Sequence, residues 1–239
     1  MSTALSVNRL HFAYRHNTRS ALVDFSLDID EASRCLVIGR NGAGKSTLLQ
    51  VLAGRHMVPE ESVTVLGRPA FHDVSLVHDV AHLGGLFPFD TDIAVHEILS
   101  HTPHLAERRD KLLTLLGIDT AWRMRSVSDG QRRRVQLLMG LLKPHRLLLL
   151  DEVTSDLDLL ARIDLLKFLR EENETQNTTI LYATHVFDNL ETWATHLLWI
   201  DAGAVRHFSR LAEIEELSEL MQQRAHNPLM QLVARWLRK

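Results

Sequence analysis

A single cysteine, Cys35, stands in 239 residues. No internal disulfide can form, so stability must come from a packed core, and the chain suits a reducing compartment. Cys35 lies in the apolar run Cys35-Leu-Val-Ile38, the setting of a small buried hydrophobe rather than a reactive thiol. An excess of charge of one sign is also missing. The net charge is −3, so no overall basic field argues for direct nucleic-acid binding. Long apolar runs are absent as well: the longest candidate, Leu137 to Leu150, is interrupted by Lys143-Pro-His-Arg146 and falls short of what a bilayer requires. The opening Met1-Ser-Thr-Ala-Leu-Ser6 has neither a basic leader nor an apolar stretch, so no secretory signal is read there. Histidine is plentiful at 14 residues but scattered; no pair has ligand spacing beside a cysteine or carboxylate cluster, and no zinc site is expected. No internal repeat or low-complexity segment is visible. The expectation is a soluble protein in which any membrane part belongs to another chain.

What is present is ordinary globular composition, 45% hydrophobic and 24% charged, with length for one large α/β domain or two small lobes sharing a core. The informative stretch is Gly39-Arg40-Asn41-Gly42-Ala43-Gly44-Lys45-Ser46-Thr47. It fits the phosphate-cradling pattern G-x-x-x-x-G-K-[S/T]. The apolar run before it reads as a buried strand, and Ser46 to Ala53 reads as a helix ended by Gly54. Glycines let the backbone curl so that successive N–H groups face phosphate oxygens, and the helix N-terminus adds partial positive charge. Lys45 is placed to reach the β- and γ-phosphates, and the Ser46 hydroxyl to ligate Mg²⁺. The chain is expected to bind a nucleoside triphosphate.

Around this loop the pattern changes three times. Residues 5 to 38 alternate apolar and polar, as in Leu22-Val-Asp-Phe-Ser-Leu-Asp-Ile29, which reads as antiparallel strands. Tyr14 ends the first of them, either as a packing residue or as an aromatic that stacks on adenine. Residues 55 to 83 form a second strand-rich patch. From Thr91 to Gly140 the spacing turns helical, with Thr91 or Asp92 as a candidate cap, and this insert is expected to form its own small lobe. Leu147-Leu-Leu-Leu-Asp151-Glu152 then reads as a central parallel strand buried on both faces, with its carboxylates at the C-terminal end, where open α/β sheets bind ligands. Asp151 there can hold Mg²⁺, and Glu152 can orient the water that attacks the γ-phosphate. A helix over Leu159–Glu172, a strand over Thr178–Thr184 and a hairpin around Asp201-Ala-Gly203 follow. The tail is helical, broken at Asn227-Pro228, which suit an N-cap and first turn. Leu229, Leu232, Val233, Trp236 and Leu237 share one face of the last helix. That face either packs back on the domain or a dimer mate, or docks a partner or membrane surface.

Val127-Ser-Asp-Gly-Gln131 followed by Arg132-Arg-Arg134 supplies a second potential phosphate nest at a helix start. With it the chain resembles the ATP-binding cassette (ABC) ATPases over nearly its whole length. Val127 to Gln131 is similar to that family's Leu-Ser-Gly-Gly-Gln signature, Gly39 to Thr47 to its Walker A loop, and Leu147 to Glu152 to its Walker B strand. Val153 to Asp158 looks like the D-loop, Ala183-Thr-His185 the switch-histidine loop, and Tyr14 the adenine-stacking aromatic.

The resemblance implies an α/β P-loop cassette over 1–226, with an antiparallel β subdomain and a helical subdomain near 90–142, followed by an amphipathic helix over 227–239. It implies Mg²⁺-dependent ATP hydrolysis in a head-to-tail dimer. Each site would use Lys45, Ser46, Asp151, Glu152 and His185 of one chain and Ser128, Gly130 and Gln131 of the other, with Asp158 at the seam. A homodimer is the simplest expectation; a heterodimer is the alternative.

Two departures stand out. The family's glutamine near position 85, which touches Mg²⁺ and senses the transport partner, is replaced in His82-Leu-Gly-Gly-Leu-Phe-Pro88, where His82 is either a substitute or a residue that packs or faces solvent. Asp129 replaces the signature's first glycine and would repel a triphosphate unless Arg132 to Arg134 offset it or it points away; those arginines otherwise read as a solvated helix face. The wider pattern resembles a stand-alone subgroup related to the fungal factor associated with the CCR4–NOT mRNA-regulating complex, whose plant relatives are classed as non-intrinsic ABC proteins. That implies a cytoplasmic or nuclear regulatory ATPase acting on protein complexes. The alternatives are the motor subunit of a membrane transporter and a nucleotide-gated scaffold with negligible turnover.

Overall fold

A computed structural model describes residues 2–15, 19–85, 92–100 and 105–238. Strands β1 (Thr3–Phe12) and β2 (Leu22–Asp30) pair antiparallel. Their alternation buries Leu5, Val7, Leu10, Leu22, Phe25, Leu27 and Ile29. It is interrupted where Arg9 and Asp24 adopt positive φ and the register shifts, a bulge that resets which face each strand presents. Then follow β3 (Arg34–Ile38), helix α1 (Lys45–Leu52), β4 (Val63–Val65), β5 (Arg68–Pro69) and β6 (Val80–Leu83). Helices α2 (Val95–Leu99), α3 (Ala106–Leu116) and α4 (Asp129–Leu141) make up the helical insert. Strand β7 (Leu147–Asp151), helix α5 (Leu159–Gln176), strands β8 (Thr179–Ala183), β9 (His196–Asp201) and β10 (Ala204–Arg210), and helices α6 (Glu215–Gln222) and α7 (Pro228–Trp236) complete the described chain.

The strands form two sheets, a four-stranded one ordered β2-β1-β4-β5 and a six-stranded one ordered β10-β9-β3-β8-β7-β6. In the larger sheet all pairings are parallel except the β9–β10 hairpin. Strand β7 shows why four consecutive leucines are needed. Leu147 and Leu149 join the core between the two sheets, with Leu48, Leu49, Val65 and Leu181. Leu148 and Leu150 point the other way, into a core with Leu138, Leu165, Tyr182 and Trp236. Successive side chains of a strand face opposite sides, so a strand covered on both must be apolar throughout. β7 is interior rather than central: β6 alone lies outside it.

The strand-rich patch over 55–83 is present as β4, β5 and β6, divided between the two sheets. β4 and β5 extend the antiparallel sheet, whereas β6 pairs in parallel with β7, Val80 opposite Leu147; apolar spacing cannot name a pairing partner so far along the chain. Helix α2 begins after Ala94 rather than at Asp92, whose carboxylate instead accepts from Arg123 Nε at 3.0 Å; Thr91 lies outside the described residues. Asn227 is the N-cap position of α7 and Pro228 opens its first turn, as expected; the Asn227 side chain makes no capping hydrogen bond, and its amide donates to Asp188 Oδ1 at 2.8 Å.

The apolar face of α7 is covered by the protein itself. Leu229, Leu232, Val233 and Trp236 are buried. The Trp236 ring stacks on Trp199 of β9, with centroids 5.4 Å apart. Its indole N–H donates to Glu216 Oε2 at 3.2 Å.

Candidate functional site

Strand β3 delivers the chain into Gly39, where a Cβ would sit 2.3 Å from the Ile200 carbonyl oxygen. No side chain fits there, so glycine is a packing requirement of the β9 contact. The turn of the β9–β10 hairpin braces the loop further, Gly203 N–H donating to Ala43 O at 3.0 Å. Ala43, Gly44, Lys45 and Thr47 are buried, while Arg40, Asn41, Gly42 and Ser46 are exposed at the rim. Lys45 is only 7% exposed. Its ammonium donates to the carbonyls of Gly39 at 2.7 Å and Arg40 at 3.2 Å. Burial pushes its pKa below the usual lysine value, opposed by the negative charges of Glu152 and Asp151. The loop therefore holds a desolvated cation facing two carboxylates.

Those carboxylates sit at the C-terminal end of β7, beside β8 in the register Asp151 opposite Ala183. Glu152 has a left-handed backbone, φ 52°, a strained conformation for a residue with a side chain. Its own N–H holds it there by donating to Ala183 O at 2.9 Å. One carboxylate oxygen, Oε2, accepts from the His185 main-chain N–H at 3.2 Å. The other, Oε1, lies 3.2 Å from His185 Nε2 but without the alignment of a hydrogen bond, and among the described residues it is buried with no donor. A buried, unpartnered carboxylate oxygen is costly and is poised to accept from a bound molecule. The segment after Glu152 is held to β8 by a buried contact of 2.6 Å between the Thr154 and Tyr182 hydroxyls.

His82 of β6 is not aimed at a hydrogen-bond partner. Both ring nitrogens are buried without one among the described residues. Burial lowers its pKa to about 4, with Arg55 adding to the fall and Asp151 opposing it, so the ring is neutral at neutral pH.

The signature segment starts α4. The Ser128 hydroxyl accepts from Gln131 N–H at 3.3 Å, and Gln131 Oε1 accepts from Ser128 N–H at 2.9 Å, a reciprocal capping box. Asp129 is exposed in the first turn, where the helix N-terminus favours a carboxylate; among the described residues it makes no ion pair. Arg133 and Arg134 are half-buried and bonded rather than a freely solvated face, and among the described residues no ion pair joins either to Asp129. Arg133 bonds Gly85 O, Gln136 and Asp156. Arg134 bonds Asp158 and the Leu116 carbonyl. The Asp158 carboxylate also caps α5, accepting from Ala161 N–H at 3.0 Å.

The structure brings Lys45, Asp151, Glu152 and His185 together around the C-terminal ends of β3, β7 and β8 in the large sheet. Ser128, Gly130 and Gln131 stand apart: among the described residues no hydrogen bond or ion pair joins them to Lys45, Ser46 or Glu152. Tyr14, 38% exposed, is set against α1. Its hydroxyl lies 3.1 Å from Thr47 Oγ1 and donates to Gln50 Oε1 at 3.3 Å, and its ring is nearly perpendicular to those of Phe12 and His56. Gln50, His56 and Arg133 belong to the site's surroundings and carry no sequence signal of their own, because only the folded chain brings them to these partners.

The ABC transporter family pattern matches residues 22–155, which span the phosphate loop, the signature and the carboxylate strand. The chain belongs to the ABC transporter family. ABC transporter I family member 20 of Arabidopsis thaliana is 44% identical over 93% of this chain and 70% of its own length. CCR4-associated factor 16 of Saccharomyces cerevisiae is 40% identical over 84% of this chain and 77% of its own. Among solved structures, the ATP-binding subunit of an ABC transporter superposes with a TM-score of 0.81 at 22% identity, over 99% of this chain and 100% of that one, which establishes the fold. This ABC cassette is accordingly a P-loop ATP hydrolase. No helix among its described residues is long and apolar enough to cross a membrane.

Proposed function

We propose that two copies of this ABC ATPase close head to tail on ATP, and that the resulting motion acts on protein complexes in gene expression and mRNA regulation. The observation that carries the chemistry is the Glu152–His185 pair at adjacent strand ends, with one carboxylate oxygen left open. In this reading Tyr14 stacks on adenine and Lys45 exchanges its loop carbonyls for phosphate oxygens. The backbone N–H groups of residues 40–47 cradle the phosphates. Glu152 Oε1 accepts a hydrogen bond from the attacking water and orients it, and His185 flanks that water. Ser128, Gly130 and Gln131 of the second copy cover the γ-phosphate, and the Asp158 loop lies at the seam.

The Ser46 hydroxyl and the Asp151 carboxylate are hard oxygen donors of the kind Mg²⁺ takes, and they would hold it. The ion neutralises phosphate charge when bound.

The regulatory output is supported by Gly85, which has no side chain with which to report to a membrane partner, and by a relative named for its association with CCR4. A cleft of about 500 Å³ beside β6, lined by Leu52, Phe71, Val74, Val77 and His82, keeps the transporter-motor reading in view as a seat for a partner's segment. Recovery of a multi-span membrane protein in a pull-down would favour that second reading. The dimer is tested with Glu152→Gln. Because it binds ATP but does not turn over, it should elute as a dimer in sizing chromatography with ATP and Mg²⁺; elution only as a monomer would overturn the head-to-tail reading.

A further inference from the structure

Gly84 and Gly85, which follow β6, carry no side chains, yet their backbone is held on both sides. Gly84 lies against the carboxylate strand: a Cβ there would be 2.5 Å from Asp151 Cβ and 3.0 Å from Asp151 O. The next carbonyl, Gly85 O, accepts from Arg133 Nη1 at 3.0 Å. Arg133 comes from the first turns of α4, directly behind the signature segment. Its side chain is 17% exposed, its Nε faces Asp156 Oδ2 at 3.4 Å, and Nη1 also donates to Gln136 Oε1 at 2.5 Å. The same two segments touch again at Gly130, where a Cβ would be 3.1 Å from Asp156 O. One guanidinium thus joins the loop on Asp151, the start of α4 and the segment after Glu152. Only a planar, multi-pronged donor serves acceptors in three directions; a lysine ammonium is a point charge without that fork.

We propose that Arg133 is a positioning residue that fixes Ser128–Gln131 relative to the strand end bearing Asp151. It thereby couples nucleotide at one copy's phosphate loop to closure of that copy's signature over the other. This rests on the composite-site reading above.

The test compares Arg133→Met, Arg133→Lys and Asp156→Asn in the full chain. It measures steady-state turnover, equilibrium binding of a fluorescent ATP analogue, and thermal midpoint. Arg133→Met should lower kcat about tenfold while KM and nucleotide affinity stay within about twofold, because the link matters to closure rather than to loading of the open loop. Arg133→Lys should restore only part of that loss. A merely structural arginine predicts instead a lower thermal midpoint with kcat and affinity falling together, or no kinetic change; either result overturns the proposal. If Arg133→Met does not fold, Asp156→Asn still removes one arm and should lower kcat about threefold, and an unchanged kcat there overturns it equally. Lys45→Ala, run in parallel, separates the two levels. Turnover surviving in Lys45→Ala defeats the composite-site reading itself. Turnover lost there but intact in Arg133→Met and Asp156→Asn defeats only the role of Arg133.

Discussion

Lys45 is buried, donates two hydrogen bonds into its own loop and faces two carboxylates at the end of one strand. Ser128 and Asp129, by contrast, stand exposed at a helix start and meet none of those groups. One end of the nucleotide machinery is closed within the chain; the other is presented outward. The phosphate-loop end is assembled by parallel strands of one sheet, so its groups share a rigid frame. The signature end rides on the helical insert and reaches that frame through Arg133 and Arg134. The difference teaches what each half is for. A buried lysine beside an unpartnered carboxylate oxygen is machinery for chemistry. An exposed capped helix start with a free first turn is a surface that contacts something else, and a second copy's triphosphate is the reading proposed above.

The largest expected effect is at the closed end. Lys45→Ala removes the cation from the phosphates and should cut ATP turnover by about a thousandfold; steady-state phosphate release measures it, and near-normal turnover would erase the contrast by making the loop structural only. At the open end, Ser128→Arg places bulk and charge on the presented surface. It should lower turnover about a hundredfold while equilibrium ATP binding to the isolated chain changes little. Equal loss of binding would show that the signature serves its own loop. A smaller effect is expected at the rim, where Tyr14→Ala should weaken ATP affinity about tenfold through lost base stacking but leave binding of inorganic tripolyphosphate unchanged; loss of both would make Tyr14 a brace for Thr47 and α1 instead.

The smallest effect concerns β6, which leads into the loop between the two ends. His82 has its folded pKa lowered to about 4, whereas an unfolded histidine titrates near about 6.5. Between those values the unfolded chain binds a proton that the folded chain refuses, so stability is present above about 6.5 and is lost as pH falls toward 4. His82→Gln should shrink the drop in thermal midpoint between pH 7.5 and pH 5 by about four to eight degrees. A residual slope is expected, since burial lowers the pKa of His145 and His196 as well. An unchanged slope would mean that the ring is hydrated.

The same contrast divides what could be read in advance. The closed end was legible because its chemistry is contiguous: the nine residues from Gly39 to Thr47 and the leucines before Asp151 each carry a local pattern with a physical cause. The antiparallel alternation of Leu22 to Ile29 and the hairpin at Asp201-Ala-Gly203 were legible for the same reason. Long-range partners were not. Nothing local says that β6 leaves its neighbours β4 and β5 to lie beside β7, that Arg133 reaches Gly85, or that Asn227 turns from its helix to Asp188. Nor does sequence reveal that Glu152 takes a left-handed backbone, since that conformation follows from the Ala183 contact across the sheet. Asp92 lies ahead of its helix with its carboxylate on Arg123, a partner distant in sequence that no local pattern names.

The central claim is that the closed end of one copy meets the presented end of another. It is tested most directly by mixing Lys45→Ala chains with Ser128→Arg chains, each inactive alone. Random pairing makes about half of the dimers mixed, and each mixed dimer holds one site with an intact phosphate loop facing an intact signature. The account predicts that the mixture recovers about a quarter of wild-type ATP turnover; a mixture as inactive as its components would contradict it.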